Sequence, residues 1–175
     1  VGHPHHTVVV QSHDYTSISG AAGLRSLRFC NGLHIHGRVH FEPGIYIIED
    51  HDFQVNAGAL VTGEDVVFFF TDGAQSRLNG SAVLQLTAPD FGIFSGILFY
   101  GDRTDTTVDH RVNGASGTSF QGAVYFPSQN ITYAGTAGAA AGCTQIIGYT
   151  IDFVGNSDLE LDCTGVGVRD IDVSG

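Results

Sequence analysis

This chain of 175 residues has no lysine, no tryptophan and no methionine, and only four prolines and three cysteines. Each shortage excludes something. Without lysine, the seven basic residues are all arginines (Arg25, Arg28, Arg38, Arg77, Arg103, Arg111, Arg169), and they face 18 carboxylates for a net charge of −11. That balance disfavours nucleic acid and anionic membrane as partners, because both are held by basic side chains on phosphate. Long hydrophobic runs are also missing. Val66–Phe70 and Gly96–Tyr100 are the longest, far short of the ~20 residues a bilayer-spanning helix needs, so no membrane insertion is expected. No secretion leader is legible at Val1, and the chain reads as soluble as given or as a processed piece of something longer. Phosphate-binding loops, nucleophile elbows and Cys–His catalytic signatures are lacking too.

What remains is rich in glycine (24 residues) and apolar side chains. That mixture suits many short strands joined by tight turns in one domain rather than a helical bundle. Alternation is clear in the segment from Leu33 to Phe41. Leu33, Ile35, Val39 and Phe41 form one set, facing inward, and His34, His36, Arg38 and His40 form the other, facing out. Strands of this kind meet Gly or Asn steps at His36-Gly37, Asn56-Ala57, Asn79-Gly80, Asn113-Gly114, Ala134-Gly135 and Gly155-Asn156. Four of the five intervals are about 20 to 23 residues, the period of a three-sided coil, and the remaining one is about 34. The excess falls in Ala88–Phe94 and Asp102–His110, which read as loops thrown out of the coil. Val66–Phe70, Ile97–Tyr100 and Ala123–Phe126 are more continuously apolar, as a wall covered on its outer side by the loops or a neighbouring subunit would be.

The stretch from Cys143 to Cys163 spans about one such lap. Residues one lap apart in a parallel coil stack ~4.8 Å apart, inside the Cα window of a disulfide. A Cys143–Cys163 bridge is therefore expected, worth roughly 3 kcal/mol on the chain-entropy account, and it favours an oxidising compartment. Cys30 is then left over, either as an inert thiol or as a cross-link to another chain.

The fold expected is all-β, a single right-handed parallel β-helix (β-solenoid) of about six coils with inserted loops; a β-sandwich is the runner-up. Residues 1–29 read as an N-terminal arm and cap, with Ile18–Phe29 the one weakly helical segment, and 30–175 as the solenoid. In the arm, Thr7, Val8, Val9 and Val10 are β-rich and suited to adding a strand to a neighbour's open edge.

Five motifs recur in this order elsewhere: Pro43-Gly-Ile-Tyr-Ile-Ile48, Leu84-Gln-Leu-Thr-Ala-Pro89, Gly96-Ile-Leu-Phe-Tyr-Gly-Asp-Arg103, Gly122-Ala-Val-Tyr-Phe-Pro-Ser-Gln-Asn130 and the Cys143–Cys163 lap. They resemble the C-terminal repeat region of TadG-like proteins, associated with pilus assembly in bacterial tight-adherence (Flp) systems. The likeness covers roughly Cys30 to Val168. It implies a β-rich domain secreted by, or displayed on the surface of, a Gram-negative bacterium and connected with adhesion or pili. It brings no catalytic residues. The chain departs from the family in lacking the usual N-terminal membrane helix and preceding domain.

Candidate chemistry is sparse. His34, His36 and His40, with His3, His5 and His6 upstream, are the ligand type for a transition metal, although no spacing matches a structural zinc motif. Asp152, Asp158, Glu160, Asp162, Asp170 and Asp172 crowd the last laps and are the ligand type for Ca²⁺; a charged, solvated face is the plainer reading. Asp102, Asp105 and Asp109 are the best candidates for glycan cleavage, with Arg103 or Arg111 as the cation. A loop salt bridge is the ordinary reading of Asp102-Arg103. The expectation is a non-enzymatic extracellular structural or adhesive protein without a cofactor, self-associating head to tail or by arm exchange. The competing expectations are a carbohydrate-binding or carbohydrate-cleaving β-helix, with surface glycans as partners, and a metal-binding surface protein.

Overall fold

The computed structural model describes residues 7–11, 15–18, 26–135 and 143–155. Among them the elements are β1 (Val8–Val10), β2 (Tyr15–Ile18), β3 (Ser26–Phe29), β4 (Leu33–Ile35), β5 (Arg38–Phe41), β6 (Gly44–Glu49), β7 (Phe53–Val55) and β8 (Leu60–Gly63). They continue with β9 (Val66–Thr71), β10 (Ser76–Leu78), β11 (Val83–Thr87), β12 (Ile97–Gly101), β13 (Asp109–Gly114), β14 (Ser119–Gly135) and β15 (Thr144–Val154). Every pairing among these strands is parallel. A β-sandwich is built on antiparallel pairs, so the chain is a β-solenoid of about six turns. Crossovers between parallel strands of one sheet are right-handed almost without exception.

Three faces make each turn. The first stacks β1, β4, β7, β10 and β13, then the ends of β14 and β15; the second stacks β2, β5, β8, β11 and the start of β14; the third stacks β3, β6, β9, β12, the middle of β14 and the start of β15. The Gly/Asn steps fall into line at the corner after the first face. Asn113 pairs with Ala134 and Gly114 with Gly135, and the Asn56 and Asn79 amides donate to the carbonyls of Ile35 and Val55, one lap back. The long interval is also where it was expected: residues 88–96 separate β11 from β12, and 102–108 separate β12 from β13.

The solenoid starts earlier than the sequence suggests. Val8–Val10 pairs with Leu33–Ile35, Tyr15–Ile18 with Arg38–Phe41, and Ser26–Phe29 with Ile45–Ile48. Thr7 and its three valines are therefore the beginning of a first lap, already paired on one side, rather than an arm. Nor is Ile18–Phe29 helical at its described ends, which are strands. Phe29 is buried, and a strand ladder that buries such a residue overrides weak local propensity.

Alternation fills the interior. Leu33, Ile35, Val39 and Phe41 are all at most 1 % exposed. A chain of rings runs down the axis: Phe41 meets Tyr46 at 4.7 Å and Phe68 at 4.9 Å, and Phe68 meets Phe53 at 5.0 Å and Phe99 at 5.6 Å. Tyr46 brings a hydroxyl into this core; it reaches the carbonyls of Ile18 and Glu42, and burial pushes its pKa up to about 12. At Gly101 the ladder has no side chain by necessity. Phe70 and Phe126, two laps apart, touch across it at 5.5 Å, and a Cβ there would lie 2.4 Å from the Phe126 ring.

Candidate functional site

The outward side chains of the first face form a column in strict register: His34, Gln54, Arg77, Arg111, Thr132 and Asp152. Beside it runs the corner column with Asn56, Asn79 and Asn113. Between them lies a groove of about 440 Å³ lined by Asp52, Gln54, Asn56, Arg77, Asn79 and Arg111, with Asn113 at one end. Its size lies in the range of ligand sites, but such sites are mostly apolar, and this lining is amide, guanidinium and carboxylate.

Hydrogen bonds organise most of it. The Gln54 amide donates to Asn56 Oδ1 at 2.9 Å, and Asn56 Nδ2 donates to His36 Nε2 at 3.2 Å. Asn79 Oδ1 accepts from the Ser81 backbone N–H at 3.1 Å. Arg77 donates through Nε to Asp52 Oδ2 at 2.5 Å and through Nη2 to Gln75 at 2.9 Å. Two groups stand apart. Arg111 is exposed and has no hydrogen-bond or ion-pair partner among the described residues. Asn113 Oδ1 is buried without a partner, a condition few native polar atoms tolerate.

The histidines divide. His34 and His36 lie on the first face, whereas His40 lies across the corner on the second, its Nδ1 within 2.9 Å of Thr62 Oγ1. The expected three-histidine set is thus split by the turn at Gly37, and no group of three or more His, Cys, Asp or Glu that could hold a metal is found among the described residues. Burial lowers the pKa of His34, with Asp52 opposing and His36 and His51 reinforcing the shift. His3, His5, His6, Asp158, Glu160, Asp162, Asp170 and Asp172 lie outside the described residues. So does Cys163, and with it the Cys143–Cys163 pairing; Cys143 itself is fully buried ahead of β15, and Cys30 is half-buried at the corner after β3.

The inserted carboxylates serve the loop. Asp102 Oδ1 accepts from the Thr104 N–H and hydroxyl, and Oδ2 from the Thr71 hydroxyl. Asp105 accepts likewise from Thr107 and from the Gly73 N–H. These bonds hold the Asp102 pKa below the usual carboxylate value, the opposite of what a general acid requires. Arg103 is turned away over the Tyr125 and Tyr100 rings, 5.3 and 6.0 Å from their centroids.

Asp109 and His110, expected in the loop, belong to β13. His110 points inward, 1 % exposed. It stacks on Phe126 at 3.6 Å, its Nδ1 accepts from the Ser76 N–H at 3.1 Å, and its Nε2–H donates to Gln129 Oε1 at 3.1 Å. Burial lowers its pKa to about 4, so it is a neutral core residue. Sequence reasoning also missed Arg77, and Asn113 as more than a turn residue. Compared with protein-family models, with curated proteins and with solved structures, the chain matches none.

Proposed function

We propose that this chain is a non-enzymatic adhesive protein of the bacterial cell surface or exterior that binds carbohydrate through the first-face groove. One observation carries the reading: a groove of ligand size lined by planar amides and guanidinium groups. Such side chains donate and accept in fixed planes, which matches the alternating hydroxyl donors and acceptors of a sugar far better than an apolar ligand. The surface location rests on the motif order resembling TadG-like proteins and on the proposed Cys143–Cys163 bridge. The cleaving variant of the carbohydrate reading is disfavoured, because Asp102 and Asp105 are consumed by their own loops. The test is an oligosaccharide array probed with the whole chain. We expect retention of a related set of glycans, lost when Gln54 and Asn79 are both replaced by alanine. Retention of none, or retention indifferent to those substitutions, would remove the reading.

A second reading, self-association, is favoured by the third face. There the insert holds Ile93 91 % and Phe91 57 % exposed, beside an apolar pocket of about 210 Å³ formed with Pro43, Ile45, Val67 and Phe94.

A further inference from the structure

We infer that the first-face groove selects an acidic sugar, with the sugar's carboxylate on Arg111. The inference rests on the carbohydrate reading above and narrows it. Arg77 and Arg111 are direct register partners on adjacent parallel strands, and like charges placed opposite each other disfavour the pairing. Among the described residues only one of the two is compensated. Arg77 is tied to Asp52 and Gln75, while Arg111 lines the groove with no carboxylate on it among the described residues. Asp109, two residues before Arg111 in β13, accepts at Oδ1 from the Asn130 amide at 2.7 Å.

A guanidinium only donates, and a planar fork matches a carboxylate with two parallel hydrogen bonds. A uronic acid or another carboxylated sugar carries that anion beside hydroxyls that the amides of the groove can bind. A neutral sugar would leave Arg111 without its anion. Arg77, Asn79 and Gln54 then line the rest of the path, so that a neighbouring sugar meets ordinary hydroxyl-binding amides.

The experiment is calorimetric titration of the whole chain at low salt with tri-galacturonate and with its methyl ester, beside an array of uronate-, sialate- and sulfate-bearing oligosaccharides and their neutral counterparts. Tri-galacturonate or another carboxylated glycan should bind at least about tenfold tighter than its neutral counterpart, because charge-assisted hydrogen bonds are roughly twice as strong as neutral ones. Arg111→Gln should abolish that preference, and Arg111→Lys should restore only part of it. Since Arg111 is exposed, the unfolding midpoint of both variants should match the parent, and that comparison separates lost binding from lost folding. Equal affinity for acid and ester, or a preference only for sulfate esters, overturns the inference and leaves the carbohydrate reading standing. Binding of no glycan, acidic or neutral, overturns both.

Discussion

The first and third faces share one backbone and one spacing, yet their outer surfaces behave in opposite ways. Down the first face run His34, Gln54, Arg77, Arg111, Thr132 and Asp152. The equivalent column of the third is Arg28, Ile47, Phe69, Tyr100, Tyr125 and Ile147. Parallel stacking multiplies whatever a column contains, since each side chain sits about 4.8 Å from its counterpart in the next lap. Aromatic rings use that spacing on one another: Phe69 stacks on Tyr100 at 5.0 Å, Tyr100 on Tyr125 at 5.4 Å, and Arg103 covers the last two. Guanidinium groups cannot. Adjacent arginines repel, so their hydrogen-bonding capacity is left for carboxylates or for a ligand. The same ladder thus closes the middle of one face upon itself and holds the other open.

The comparison breaks most forcefully from the inside, directly behind the first face. His110 neighbours Arg111 in β13 but points into the core, against Phe70, Phe126, Ser76 and Gln129; Asp105 and Asp109 are the acids near it, and they oppose its shift only weakly. Burial lowers its folded pKa from 6.5 to about 4. Above pH 6.5 it is neutral in both the folded and the unfolded chain and adds no pH dependence. As the pH falls from 6.5 towards 4, the unfolded chain takes up a proton that the folded chain refuses, and stability drops. At 1.36 kcal/mol per pKa unit the loss is up to about 3 kcal/mol. Denaturant midpoints measured across that window should fall, and His110→Gln should flatten the fall. Identical pH profiles for parent and variant would remove His110 as its source. His34, whose pKa is also lowered, leaves a smaller slope of the same sign.

How far these features could be read beforehand follows the physics of each. Inward and outward residues from Leu33 to Phe41 were legible because alternation is local. So was the corner at each Gly/Asn step, since turn chemistry recurs lap after lap. The first lap was not, because Val8–Val10 and Ser26–Phe29 acquire their strand character from partners at Leu33–Ile35 and Ile45–Ile48. His110 was taken for loop because a polar run precedes it, and only packing against Phe126 shows which way it faces. The groove was hidden for a different reason. Its two arginines come into register across the long lap, so their pairing depends on how the inserts divide it, which no local pattern records.

The third face offers the next test, of middling size. Rings seal the middle of that face, but at the insert Ile93 and Phe91 stand in solvent. If a second copy covers them, burying Ile93 is worth about 1.5–3 kcal/mol. Ile93→Asp should then weaken self-association by one to two orders of magnitude in sedimentation velocity. Glycan retention on the first face should be untouched. An unchanged association constant would leave the apolar patch without the role proposed for it. A simultaneous loss of glycan binding would show that the two faces are not independent.

The smallest effect sharpens the contrast at its source. Asp52 holds Arg77 through an ion pair whose side chains are 28 % and 52 % exposed, and pairs this open contribute between nothing and about 1 kcal/mol. Asp52→Asn should therefore move the thermal midpoint little. Its consequence lies in charge. The substitution removes a carboxylate from the groove lining and releases the Arg77 guanidinium, so two adjacent donors without a carboxylate face the ligand instead of one. Affinity for a carboxylated sugar should rise several-fold at low salt and converge on the parent value as salt screens the added attraction. Affinity for the methyl ester should stay where it was. A variant whose affinity for the acid stays at the parent value would mean that Arg77 is held by the amides around it rather than by Asp52, and that the first face owes its openness to Arg111 alone.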